Sequence, residues 1–129
     1  MGRADSFARF VLDQLRLLGD VDCRSMFGGH GLYHGGVFFG IIFKGRLYFK
    51  ISAKTQPDYV ERGMKPFCPS GSPRKTVHGT RRAPQVLSSY YEVPIDIVEE
   101  DERLADWARE AVRAQRQQKA TRHHLPNRS

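Results

Sequence analysis

The sequence lacks a hydrophobic run long enough to cross a membrane, and it contains only two cysteines. Its longest apolar stretch, residues 37–43, is interrupted by Gly40 and is far shorter than the ~20 residues that a spanning helix needs. The first residues have no apolar core of the kind found in signal peptides. We therefore expect a cytoplasmic protein with no membrane role. Cys23 and Cys68 belong to no paired motif, so we expect two free, largely buried thiols.

Motifs for nucleotide binding, metal binding and nucleophilic catalysis are also missing. The glycine-rich segment 28–31 departs from the dinucleotide pattern, and Ile41-Ile42 replaces the lysine and hydroxyl residue of a phosphate loop. His30 and His34 would lie about 13 Å apart on a strand, which is too far for one metal ion. No serine lies in a Gly-x-Ser-x-Gly elbow. We therefore expect no cofactor, no metal and no enzymatic activity.

The net charge of +7 comes from two segments of the chain. Residues 72–86 contain four basic residues and no acid, and residues 111–129 contain five basic residues and no acid. The rest of the chain therefore carries a net charge of −2. Basic side chains in a loop and a tail can contact phosphates, although such contacts carry no sequence specificity. The candidates for nucleic-acid contacts are Arg74, Lys75, Arg81, Arg82, Arg113, Arg116 and Lys119.

The first half of the chain predicts one helix followed by three antiparallel strands. Apolar residues over 6–18 follow helical spacing. The aromatic and branched residues that follow favour strands. We predict a long first strand over 22–34 that bends or bulges at Gly28-Gly29. Two-residue turns at 35–36 and 44–45 would then lead into the second and third strands.

The second half predicts a short helix, two strands and a last helix. The short helix starts at Thr55, which we expect to cap it, and ends at Gly63. Strands are predicted over 64–69 and 86–93, with a long exposed basic loop over 69–85 between them. An acidic first turn then begins the last helix.

These elements predict an α+β two-layer sandwich, in which an antiparallel sheet packs against helices in the order α-β-β-β-α-β-β-α. Alternation over 46–51 predicts one buried and one solvated sheet face. We expect a single domain over 1–120, with the last helix fraying near Ala120. The basic tail over 121–129 is predicted to be disordered.

A series of short motifs runs in order through roughly residues 5–118. They are Arg24-x-Met26-Phe27-Gly28-Gly29-x-Gly31-Leu32-Tyr33, Phe39-Gly40, Leu47-Tyr48-Phe49-Lys50, Gly63-Met64-Lys65-Pro66-Phe67, Ser89-Tyr90-Tyr91-Glu92-Val93-Pro94, and Leu104 with Trp107-Ala108. Such an ordered series is far more specific than any single motif. It resembles the N-terminal domain of TfoX/Sxy competence regulators. The resemblance implies the same element order and a regulator that promotes expression of DNA-uptake genes.

Two function classes follow from these observations. The first is a small, non-enzymatic regulatory adaptor that binds another protein through an exposed edge strand or an aromatic sheet face. The residues predicted for that surface are Arg24, Tyr33, Tyr48, Lys50, Tyr91 and Glu92. The alternative is a nucleic-acid-binding module that uses the basic loop and tail. An exposed edge would also make a symmetric homodimer accessible.

Overall fold

The computed structural model describes residues 3–26, 28–67 and 89–128, with side chains described over 6–26, 28–67 and 89–118. These residues form four α-helices, one 3-10 turn and five strands. They are α1 (Arg3–Gln14), a 3-10 turn (Leu15–Leu17), β1 (Asp22–Met26), β2 (Gly29–His34), β3 (Val37–Phe43), β4 (Arg46–Lys50), α2 (Gln56–Glu61), β5 (Tyr90–Glu92), α3 (Ile95–Val98) and α4 (Asp101–Arg128).

The five strands form one antiparallel sheet in the order β1-β2-β3-β4-β5. All the helices contribute to a layer on one face of this sheet, which we call the inner face. The predicted α+β fold is therefore confirmed. Strands that follow one another in sequence also pair in space, and short turns join β1 to β2, β2 to β3 and β3 to β4.

The first predicted strand is two strands. β1 and β2 pair as a hairpin, with Asp22 opposite Tyr33 and Met26 opposite Gly29. Gly28 has a φ of +83°, a left-handed conformation that lets the chain reverse where the sequence predicted only a bend. A Cβ atom on Gly29 would collide with the backbone carbonyl of Ile42, so β2 and β3 approach each other closely at this point.

A bulge does occur, but at a different place. Leu32 pairs with Gly40 while its neighbour Tyr33 pairs with Phe38, so Phe39 is the extra residue of β3. The extra residue reverses which face of the sheet each later side chain of β3 reaches. Phe39 and Ile42 consequently lie on the inner face.

Helix α2 confirms the predicted short helix, and Gly63 beyond its end has a φ of +76°. The Thr55 side chain does not cap α2; its hydroxyl accepts a hydrogen bond of 2.9 Å from the Ser52 N–H. The predicted strand over 64–69 is reduced, within the described residues, to a single bridge between Pro66 and Tyr91. Proline has no N–H to donate, which limits such pairing.

The last helix also differs from the prediction. Two helices, α3 and α4, replace one, and they are separated by residues 99–100. The backbone of α4 remains helical through Arg128 rather than ending near Ala120. The division into a domain over 1–120 and a tail stays a prediction, and the predicted basic loop over 69–85 lies outside the described residues.

The inner face holds the main core. Its fully buried side chains come from both the helices and the sheet. Burial of each one stabilises the folded state by about 1.5–3 kcal/mol. The larger members are Val11, Leu15, Leu32, Phe39, Ile42, Leu47, Phe49, Ile97, Val98 and Leu104. Ala108 and Ala111 let α4 approach the sheet closely, and Trp107 packs at the border of the cluster. This core fixes the sheet from one side and leaves the opposite face to other side chains.

Candidate interaction surfaces

The face of the sheet opposite the helices, which we call the outer face, is lined by aromatic and charged side chains. Its apolar centre is a second cluster of buried residues, Ile41, Phe67 and Tyr90. The half-buried rings of Phe38, Phe43 and Tyr48 pack around that centre. The sequence predicted a solvated face here. The prediction was incomplete, because the bulge in β3 adds Ile41 and Phe43 to this side.

A row of stacked groups leads from the sheet edge to the middle of the outer face. The Arg24 guanidinium on β1 lies 4.7 Å from the centroid of the Tyr33 ring, a cation–π distance. The Tyr33 and Phe38 ring centroids are 5.1 Å apart, and those of Phe38 and Tyr90 are 5.4 Å apart. Such tilted contacts fix ring orientation. The row therefore places a cation and a half-exposed tyrosine at the β1 edge.

Lys50 belongs to the outer face but is only 5% exposed. Its Nζ donates a hydrogen bond of 2.9 Å to the Ser89 hydroxyl, and it lies 5.6 Å from the centroid of the Tyr90 ring. Burial raises the pKa of the Tyr90 phenol, a hydrogen bond from Gln115 opposes that rise, and the neighbouring Tyr33 adds to it. The predicted role of Lys50 as an exposed contact is therefore corrected: its side chain helps to hold β4 against the segment leading into β5.

Two further predicted residues lie near the opposite edge of the sheet. Glu92 on β5 accepts hydrogen bonds of 2.9 and 3.1 Å from Arg46 on β4. Tyr48 packs edge-on against Phe67, with 4.8 Å between the ring centroids. The pair of Arg46 with Glu92 is not predicted by the sequence, because the alternation of the two strands identifies opposing residues only once the β4–β5 register is known.

Tyr91 does not share the outer face with the other predicted surface residues. It points to the inner side, where its ring centroid is 6.0 Å from that of Tyr59 and its hydroxyl accepts a 3.2 Å hydrogen bond from Gln56. Neighbouring residues of a strand point to opposite faces, so Tyr90 and Tyr91 could not both lie outside. The predicted surface is therefore reduced to Arg24, Tyr33, Tyr48 and Glu92 as accessible outer-face residues.

Of the predicted nucleic-acid contacts, only Arg113 and Arg116 have described side chains. Both are exposed on α4 and line a groove together with Arg109, His34 and two apolar residues, Leu18 and Val112. The side chain of Lys119 lies outside the described part of the chain. The same holds for the loop residues Arg74, Lys75, Arg81 and Arg82.

The described residues contain no group of three or more histidine, cysteine or acidic side chains placed to hold a metal ion. The Nδ1 atom of His34 lies 2.7 Å from the Asp20 carbonyl oxygen, to which it donates. Cys23 is a free, half-buried thiol whose pKa is raised by burial. Ser25 is exposed on β1. Cys68 lies outside the described residues.

The described residues contain no helix that combines the length and the apolar content needed to cross a bilayer. A family model for the TfoX N-terminal domain matches residues 13–115 of the 129. The chain belongs to the TfoX N-terminal domain family. The match spans all five strands, α2, α3 and the first part of α4, so it covers both faces of the sheet of this TfoX N-terminal domain. No curated protein matches the chain.

Proposed function

We propose that this TfoX N-terminal domain is a non-enzymatic regulatory adaptor that binds another protein at the β1 edge of its sheet. The observation that carries the proposal is the pair formed by Arg24 and Tyr33 beside that edge. β1 pairs only with β2 in the described sheet, so its other side is an edge onto which an extended segment can add as a further strand.

The side chains at this edge suit a polar partner segment that places a carboxylate beside Arg24. Asp22, Arg24 and Ser25 are exposed, whereas Cys23 packs against the core. Arg24 has no carboxylate partner among the described side chains, and its guanidinium lies over the Tyr33 ring. Main-chain hydrogen bonds to β1 would supply affinity, and a carboxylate on the partner would pair with Arg24.

Membership of the family supports a regulatory role. In this proposal the domain promotes the expression of DNA-uptake genes by recruiting its partner, and it has no catalytic step of its own. The protein acts in the cytoplasm, where a regulator of gene expression would meet its partners.

The test reverses the charge of Arg24 at the β1 edge and compares the effect with that of the same charge reversal at a distant exposed arginine. Arg24→Glu should abolish capture of the protein partner and lower the transcript level of DNA-uptake genes in a host that takes up DNA, because a carboxylate would repel the carboxylate of the partner segment. Arg9→Glu, which changes an exposed arginine of α1 by the same two charges, should leave both readouts unchanged. A photo-reactive residue at position 24 should form crosslinks that one at the exposed Val60 of α2 does not.

Equal crosslinking from positions 24 and 60 would contradict the proposed surface. Normal capture and transcript levels with Arg24→Glu would contradict it as well. Thermal unfolding of both variants serves as the control. A midpoint equal to that of the wild type shows that any loss of partner capture comes from the changed surface and not from a damaged fold.

A further inference from the structure

The groove beside α4 is a second surface with a different chemistry. It has a volume of about 450 Å³ and lies where α4 passes the 3-10 turn and the end of β2. Arg109, Val112, Arg113 and Arg116 line it from α4, Leu18 from the residue after the 3-10 turn, and His34 from β2.

The helical register explains why three arginines meet in one groove. Positions 109, 113 and 116 are four and three residues apart, so their side chains lie on one face of α4. Val112 lies between Arg109 and Arg113 in the sequence and is buried in the inner cluster. Leu18 packs against the same cluster. The groove therefore has an apolar floor and cationic walls.

The arginines of the groove are only partly neutralised. Arg109 donates a 2.8 Å hydrogen bond to Asp106 and a 3.3 Å hydrogen bond to the Leu17 carbonyl. Arg113 and Arg116 form no ion pair with any described side chain, although Arg113 also borders a neighbouring cavity that contains Asp58 and Glu110. The described arginines outside the groove that do have carboxylate partners are Arg16, Arg46, Arg62 and Arg103.

His34 borders the groove from β2. Its Nδ1 donates to the Asp20 carbonyl, so in the neutral ring Nε2 carries no proton and can only accept a hydrogen bond. The donors that the groove offers to phosphate oxygens are therefore its arginines. Arg116 is positioned near the β2–β3 turn: a Cβ atom on Gly35 would lie 3.9 Å from its Nη2 atom. Gly35 has a φ of +59°, a conformation that favours glycine in a tight turn. Because glycine has no side chain, the space beside the Arg116 guanidinium stays open there.

We propose that this groove binds a small molecule that carries two or more adjacent phosphate groups. Guanidinium groups bind phosphate oxygens through paired hydrogen bonds, and three of them on one helix face match a chain of phosphates better than a single anion. The volume lies within the range of small-molecule sites and exceeds what one phosphate would fill. The apolar floor of Leu18 and Val112 gives the remainder of the ligand a surface to contact.

The test measures binding of ATP, inorganic tripolyphosphate and AMP by titration calorimetry at 150 mM NaCl. ATP and tripolyphosphate should bind the full-length protein, and AMP should bind at least about tenfold more weakly, because a single phosphate cannot span the arginines. Arg113→Gln with Arg116→Gln should weaken ATP binding by at least about tenfold. The matched control, Arg9→Gln with Arg103→Gln, removes the same charge from exposed helix positions and should change affinity less than about twofold.

Equal weakening in the two double variants would overturn the proposal, since it would show a response to net charge alone. Lack of ATP binding by the wild-type protein, or equal affinities for ATP and AMP, would overturn it too. DNA single strands of up to 20 nucleotides without terminal phosphates distinguish a small-molecule ligand from a nucleic-acid backbone. If these strands displace ATP and bind more tightly as their length increases, the site binds a nucleic-acid backbone and the small-molecule proposal fails.

Fold integrity is checked by thermal unfolding of each variant. Should the double variant unfold early, Arg116→Gln alone replaces it, because this exposed side chain has no carboxylate partner among the described residues. The tests of the groove and of the β1 edge are independent. ATP binding requires no protein partner, and Arg24→Glu changes no residue that lines the groove. Failure of one proposal therefore leaves the other standing.

Discussion

The two faces of the sheet are both apolar at their centres, yet they differ in what surrounds those centres. The inner face is covered by four helices and a 3-10 turn, and its buried cluster is mostly aliphatic side chains with two phenylalanines and Tyr59. The outer face has a smaller buried centre bordered by half-exposed rings, with Arg24 and Lys50 over tyrosines. The comparison indicates that the inner face carries most of the stability, while the outer face leaves Arg24 and the edges of its half-buried rings accessible for contacts.

The largest difference between the two faces should appear on truncation of one ring in each. Phe49→Ala on the inner face should lower the free energy of unfolding by about 3–5 kcal/mol, because it leaves a cavity at a fully buried site. Phe38→Ala on the outer face should cost about 1–2 kcal/mol, since its ring keeps an exposed part and loses two ring contacts. Urea unfolding of both variants measures the difference. Equal costs would mean that the outer face is packed as tightly as the core.

An intermediate effect should appear at alkaline pH. Burial raises the pKa of Tyr59, which packs on the inner cluster, and the nearby Asp58 adds to the rise. Above pH 10 the unfolded tyrosine loses its proton while the folded one keeps it. The free energy of unfolding should therefore fall by up to about 1.4 kcal/mol per pH unit for each such tyrosine. Tyr59→Phe should flatten this fall, and Tyr90→Phe should do the same for the outer face.

The measurement is urea unfolding at pH 8 and at several values above pH 10, with each variant compared with the wild type at the same pH. At pH 8 both phenols are neutral in either state, so the difference there gives the packing cost alone. A Tyr59→Phe variant that loses stability as steeply as the wild type would contradict the predicted role of the buried phenol.

The smallest effect should come from the charged pair of the outer face. Arg46 and Glu92 are 2.9 Å apart, but the Arg46 side chain is 59% exposed. A double-mutant cycle with Arg46→Ala and Glu92→Ala should give a coupling energy of about 0.2–1 kcal/mol, decreasing at high salt. A coupling well above that range, or one insensitive to salt, would show that this edge of the outer face is shielded from solvent.

Much of the candidate surface could be predicted from alternation and composition. Arg24 and Tyr33 were chosen as exposed residues of one face, and they do lie together there. Tyr91 and Glu92 were predicted for one surface, although neighbouring residues of a strand point to opposite faces, and Tyr91 lies on the inner side. Arg113 and Arg116 were predicted as basic contacts, but the groove that they line with Arg109 was not predicted. Its other walls, Leu18 and His34, come from distant parts of the chain.

The sequence by itself determined the fold class, the turns at 35–36 and 44–45, and the short helix after Thr55. Each of these depends on local causes: the period of apolar residues, glycines that allow positive φ, and helix-terminating residues. The tertiary structure alone decided that residues 22–34 form a hairpin, that Phe39 is a bulge, and that Lys50 is buried. These features depend on which strands pair and in what register. A shift of one residue moves every later side chain to the other face, and no local pattern specifies that shift.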